Sequence, residues 1–225
     1  MCCNLDRRLQ RSMFRPIVAE ATLCSSANVC LNRQSNQSTN MQHSNTLELT
    51  RTALAIVDLQ EAFSTKIKDF EEITDRTRIL VEAAKLLGLP IFVTEQYPKG
   101  LGKTANVISD ALPQGLQVIE KTSFSSCGAT SFLDQLDGRQ IRQILICGIE
   151  AHICVNQTAH DLLASHYQVH LITDCISSRN KIDRKAGITK MLASGAISSS
   201  VEMALFELLR DAKHEHFKAI QRLIK

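Results

Sequence analysis

From Thr52 onward, short apolar runs alternate with stretches of helical periodicity. The runs are Ala53–Val57, Ile91–Val93, Leu116–Ile119, Ile144–Ile149 and Val169–Thr173, and a sixth opens at Gly195–Ser198. Each is too short for a typical helix and apolar at nearly every position, which predicts strands buried on both faces. Between them, Glu72–Leu87 places Ile73, Leu80, Ala84 and Leu87 at helical spacing and stops at Gly88 and Pro90. Thr130–Leu136, Ile153–Ser165 and Asp183–Ala193 read as further helices. Val201–Arg210 and a terminal helix near Phe217–Ile224 follow the last strand. Strands alternating with helices predict βαβ units, hence an α/β fold with a parallel sheet covered on both faces.

Residues 1–50 lack this pattern and read as an N-terminal extension to a single domain over 51–225. Leu31–Asn45 is rich in Asn, Gln and Ser, a linker composition. The net charge of the 225-residue chain is +3, and the excess sits in residues 1–40, where five arginines face two acids. The remainder holds 21 basic and 21 acidic groups, so the body offers nucleic acid no electrostatic footprint. Leu5, Leu9 and Met13 share a helical face opposite Arg7, Arg8, Arg11 and Arg15. That pattern reads either as a weak mitochondrial transit peptide or as a plain extension with translation from Met41. No apolar run is long enough to cross a membrane. The eight cysteines form no CxxC pair and no secretory segment precedes them, which predicts free thiols in a reducing, cytoplasmic setting.

In a parallel sheet, ligands bind beyond the carboxyl ends of the strands. The residues expected there are Asp58, Gln60 and Phe63 after the first strand, and Glu95, Gln96 and Tyr97 after the second. Lys121 and Phe124 follow the third, Glu150, His152 and Cys154 the fourth, and Asp174 and Cys175 the fifth. Cys154 opens a helix, where the macrodipole and unpaired N–H groups favour thiolate. Lys121 nearby would depress the thiol pKa further, and Asp58 could take its proton. On spacing alone Cys154 reads equally as a small buried hydrophobe, Asp58 as a turn cap and Lys121 as a surface lysine. The seven histidines make no HExxH or DxH pattern, and no glycine-rich phosphate loop follows the first strand.

The segments AIVDLQEAF (55–63), EKTSFS (120–125) and CGIEAHICVNQTAHDLL (147–163) together resemble the isochorismatase-like cysteine hydrolases. TEQYPKGLG (94–102) and GIEAHIC point to the isochorismatase-domain-containing branch. The resemblance covers the chain from about Thr52 to its end. It implies a three-layer α/β/α, Rossmann-like fold whose six parallel strands run in the order 3-2-1-4-5-6. It implies a triad of Asp58 as general base, Lys121 as charge stabiliser and Cys154 as nucleophile. It further implies a non-proline cis peptide at Ile149–Glu150, with the N–H groups of Glu150 and Cys154 as oxyanion hole. Gln60, Phe63, Glu95, Gln96, Tyr97 and Phe124 are the expected substrate-pocket residues.

Two departures narrow the function. The segment after the second strand is Glu95-Gln96-Tyr97-Pro98 where metal-dependent nicotinamidases of the superfamily carry Asp-x-His, so no metal or other cofactor is expected. The thiol is present where true isochorismatases lack it, so isochorismate is not the expected substrate. The expectation is a hydrolase of a small amide or related C–N bond that passes through a thioester. Its partners are a small-molecule substrate and further copies of itself, neither nucleic acid nor membrane. Ile188, Met191, Leu192 and Ile197 are the residues expected to serve the homo-oligomer. The alternative is a non-enzymatic thiol or redox-responsive protein, or a scaffold, on the same fold.

Overall fold

A computed structural model describes residues 43–225. In chain order the elements are β1 (Thr52–Val57), α1 (Phe70–Leu86), β2 (Ile91–Gln96), α2 (Pro98–Leu101), α3 (Asn106–Ser109), β3 (Ile119–Lys121) and α4 (Thr130–Asp137). They continue as β4 (Gln143–Gly148), α5 (Cys154–Ala164), β5 (Gln168–Ile176), α6 (Lys181–Ala193), β6 (Ile197–Ser199), α7 (Val201–Leu209) and α8 (Phe217–Ile224). The six strands form one parallel sheet in the order β3-β2-β1-β4-β5-β6.

Strand alternation sorts the core into two layers. Leu54 and Ile56 of β1, with Leu145 and Cys147 of β4, face the layer built from α1, α7 and α8. Ala53, Ala55 and Val57, with Ile144 and Ile146, face the layer built from α4, α5 and Met191 of α6. Every residue of β1 and of β4 is buried, which is why their sequences read as unbroken apolar runs rather than alternating ones. Helix α1 ends where Gly88 takes a φ of 69° and Leu89 N–H returns to the Ala84 carbonyl at 2.9 Å, and Pro90 blocks further helix.

Three expectations are corrected. The third strand is Ile119–Lys121, not Leu116–Ile119, because Glu95 and Gln96 extend β2 and pair with Glu120 and Lys121. Lys121 is therefore inside a strand. The fifth strand runs to Ile176, so Asp174 and Cys175 lie within it; Asp174 accepts the Val201 N–H at 3.0 Å and caps α7. Residues 44–50, assigned to the extension, pack on the body. Leu47 is 1% exposed in the core, and the Gln143 side chain bonds the Thr46 carbonyl (2.9 Å) and the Glu48 N–H (2.7 Å). The Gln168 amide donates to the Ser44 carbonyl at 2.8 Å. The transit-peptide reading falls on residues outside those described. Among the described residues no helix is long and apolar enough to cross a membrane.

Candidate active site

The register Val57↔Gly148 brings the ends of β1 and β4 side by side, so the segments after them share one rim. Asp58 follows β1 with a φ of 52°. Its N–H donates to the Thr94 carbonyl at 3.1 Å, and its Oδ1 accepts from the Thr94 hydroxyl at 2.7 Å. Lys121, the last residue of β3, reaches past β2. Its Nζ donates to Asp58 Oδ2 at 2.6 Å, Gln96 Oε1 at 2.8 Å, the Phe124 carbonyl at 3.0 Å and the Ser123 carbonyl at 3.2 Å. Four acceptors around an ammonium with three protons leave it no donor for a ligand. Both partners of the pair are buried, so each charge depends on the other for compensation.

On the other side, β4 ends at Gly148 with a φ of 120°, where a side chain would overlap the Val57 carbonyl oxygen. The Ile149–Glu150 peptide that follows is cis. Ile149 N–H donates to the Val57 carbonyl at 2.9 Å, Ala151 N–H to the Ser177 carbonyl at 2.9 Å, and Cys154 is the first residue of α5. The N–H groups of Glu150 and Cys154 have no acceptor among the described residues. The Glu150 carboxylate is buried and takes Arg179 Nε at 3.0 and 3.1 Å, Arg179 N–H at 3.0 Å and a third guanidinium contact at 3.0 Å.

These segments enclose a cavity of about 110 Å³. Its apolar wall is Phe63, Leu101, Phe124, Ile149 and Ile153; its polar lining is Asp58, Gln96, Glu150 and Cys154. Lys121 stands behind Asp58 and does not line it. The Cys154 thiol is pushed up from 9.0 to about 12, first by burial and next by the Asp58 charge. Lys121 pulls the other way more weakly than Asp58, and Glu150 adds to the rise. The expected depression of this pKa is thus corrected: removal from water and the nearest carboxylate outweigh the ammonium.

Of the residues expected in the pocket, Phe63, Gln96 and Phe124 line the cavity and Gln60, Glu95 and Tyr97 do not. The Gln60 amide is spent on backbone, donating to the Gln96 and Gly102 carbonyls and accepting the Gln96 N–H at 2.9 Å. Glu95 alternates to the other face of β2 and accepts from Thr104 N–H at 2.7 Å and from Lys103 at 3.2 Å. Tyr97 takes a φ of 38° and turns outward beside Lys99 and Thr122. Leu101, Ile153, Thr94 and Arg179 escaped the sequence reading. Ile153 alone had a signal there, as the neighbour of Cys154. Among the described residues no group of three or more His, Cys, Asp or Glu side chains is placed to hold a metal ion.

The isochorismatase-domain model matches residues 52–203. Isochorismatase domain-containing protein 2A of Mus musculus is 41% identical over 173 residues, 76% of this chain and 82% of that protein. Isochorismatase domain-containing protein 2 of Homo sapiens is 40% identical over the same shares of each. The solved structure described as MAR1 ribonuclease from Caenorhabditis elegans superposes with a TM-score of 0.77 at 39% identity, covering 80% of this chain and 92% of its own. The family match supports a hydrolase role. With a model matched over most of its length and relatives near 40% identity across three quarters of it, the chain belongs to the isochorismatase-domain family.

Proposed function

We propose that the chain is a cysteine-dependent hydrolase of a small amide or related C–N bond, needing no metal and working through a thioester. The observation that carries this reading is the buried Asp58–Lys121 pair beside the Cys154 thiol at one small cavity. With its pKa near 12, the thiol holds its proton at neutral pH, so attack needs a base at hand. Asp58 takes the proton as Sγ bonds to the carbonyl carbon. The carbonyl oxygen gains negative charge against the free N–H groups of Glu150 and Cys154, the oxyanion arrangement. Collapse breaks the C–N bond, and Asp58 returns the proton to the departing nitrogen, which leaves as ammonia or an amine. Water then attacks the thioester, gives a proton to Asp58, and releases a carboxylic acid and the thiol. Lys121, bonded to Asp58 Oδ2 at 2.6 Å, holds that carboxylate in place and offsets the charge that develops beside it.

A panel of primary amides and ureido compounds, assayed for ammonia, tests the reading. Cys154→Ala should abolish turnover with the fold intact, and Asp58→Asn should cost a factor of about 10² or more. Wild-type rates in Cys154→Ala would reject it. The redox-sensor alternative is disfavoured by the raised pKa, since thiolate is the oxidisable form; sulfenic acid at Cys154 without turnover of any amide would favour it. A ribonuclease reading draws on the name of the Caenorhabditis elegans relative. A phosphodiester entering this cavity would meet Asp58 and Glu150 and no free cation. Cleavage of single-stranded RNA that Cys154→Ala loses would favour that reading. The family reading also carries a homo-oligomer, visible as a light-scattering mass above 25.0 kDa. Met191 is fully buried in the subunit's own core and is withdrawn from that surface.

A further inference from the structure

Four charged groups surround the cavity, and they are arranged by sign. Asp58 and Glu150 line it. Their cations do not. Lys121 lies behind Asp58 with every proton engaged. Arg179 lies behind Glu150, half exposed, on the wall of a separate groove of about 520 Å³. In each ion pair the residue that carries the negative charge lines the cavity and the residue that carries the positive charge does not. Attraction and repulsion fall with distance, so the nearer charge of each pair dominates inside. The Cys154 thiol registers this order: Asp58 acts on it more strongly than Lys121, and Glu150 acts in the same sense as Asp58. The N-terminus of α5 opposes them with about half an elementary charge, less than either carboxylate.

Size and polarity add a second limit. A water molecule occupies about 30 Å³ and a cavity of about 150 Å³ holds benzene. A cavity of about 110 Å³ walled by Phe63, Leu101, Phe124, Ile149 and Ile153 therefore suits a short apolar acyl group. Gln96 is held by Lys121 and the Thr122 carbonyl and Glu150 by Arg179, so the donors left for a neutral carbonyl are the backbone N–H groups of Glu150 and Cys154.

We propose that this site selects short uncharged amides and rejects carboxylate-bearing ones, because both charged side chains lining it are anionic and their cations stand outside. The inference rests on the hydrolase reading and names its substrate class. It excludes amidic acids, whose carboxylate would be desolvated against Asp58 and Glu150 with no free donor of opposite charge.

Iodoacetamide and iodoacetate separate this proposal from the reading beneath it, since they differ in one neutral against one negative end group and both alkylate thiols with loss of iodide. The full chain is treated with each at mildly alkaline pH over hours, and modification of Cys154 is located by peptide mass spectrometry. Free cysteine gives the reference rate ratio. The expected result is a preference of Cys154 for iodoacetamide at least about tenfold beyond that reference, the scale of one unscreened charge nearby. Glu150→Gln, similar in volume and uncharged, should reduce the excess by threefold or more. In turnover, butyramide should exceed succinamate, its carboxylate-bearing counterpart, in kcat/KM by a similar factor. A labelling ratio equal to the reference, or one favouring iodoacetate, overturns the selection while leaving Cys154 as nucleophile. Failure of both reagents to reach Cys154 before unfolding overturns the nucleophile and the selection together.

Discussion

The Cys154 thiol sits under opposing influences whose sizes decide its state. A helix N-terminus is worth up to about 2 kcal/mol to an anion in favourable geometry. The raised pKa of about 12 corresponds to about 4 kcal/mol against ionisation, so burial and Asp58 win. The same direction holds for the other body thiols: Cys127 is raised to about 11, Cys147 to about 12 and Cys175 well above 9.0, all chiefly by burial. The unfolded chain releases these protons near 9 while the folded chain keeps them. Between about pH 9 and 12 the native state binds more protons, so stability is whole below 9 and falls as pH rises through this window. Melting temperature should drop over that range, and Cys154→Ala should drop less steeply; parallel curves would show that the thiol is not held protonated. The sequence made Asp58, Lys121 and Cys154 legible as polar residues beside apolar strands. It hid the order of their charges, which depends on burial, and it hid the Glu150–Arg179 pair, which joins segments far apart in the chain.

Elements were legible wherever burial on both faces left an apolar run, as in β1 and β4. Where pairing relies on backbone alone they were not: β3 is Ile-Glu-Lys, one apolar residue in three, and its register comes from Gln96 and Glu95 opposite. Helix α6 shows how an element outside the cavity shapes it. A side chain at Gly187 would bring its Cβ within 2.5 Å of the Ala151 carbonyl oxygen, in the loop between Glu150 and Cys154. In a free helix Gly187→Ala would gain about 1 kcal/mol. Here overpacking costs about 1–3 kcal/mol, and the Ala151–His152 backbone it displaces lies between the two free N–H groups. The variant should lower the melting temperature by a few degrees and turnover by about tenfold or more, with the larger loss in kcat. Unchanged kcat with a raised melting temperature would show that the loop yields without consequence.

On the scale of the whole molecule, the body begins before the apolar pattern does. Leu47 fills the core and Gln143 ties down Thr46 and Glu48, but a single leucine among polar residues has no periodicity to read. Burying one leucine is worth about 1.5–3 kcal/mol, and each kcal/mol is about 2–4 °C in a domain of this size. A chain beginning at residue 51 should melt about 5–10 °C below one beginning at residue 43, by calorimetry. Equal melting would place residues 43–50 outside the folding unit.

The strand order also carries a consequence for biosynthesis. β1 is made first yet sits at the centre, bonded to β2 on one side and to β4 on the other. A nascent chain can zip β3, β2 and β1 together as they leave the ribosome, but the second edge of β1, Thr52–Val57, finds no partner until Gly148 has emerged. Until then the growing protein presents an open ribbon of unpaired backbone, apolar from Ala53 to Val57, the kind of edge that recruits other strands. Fragments that stop short of β4 should therefore accumulate as insoluble material or on chaperones, while those that include it partition into solution.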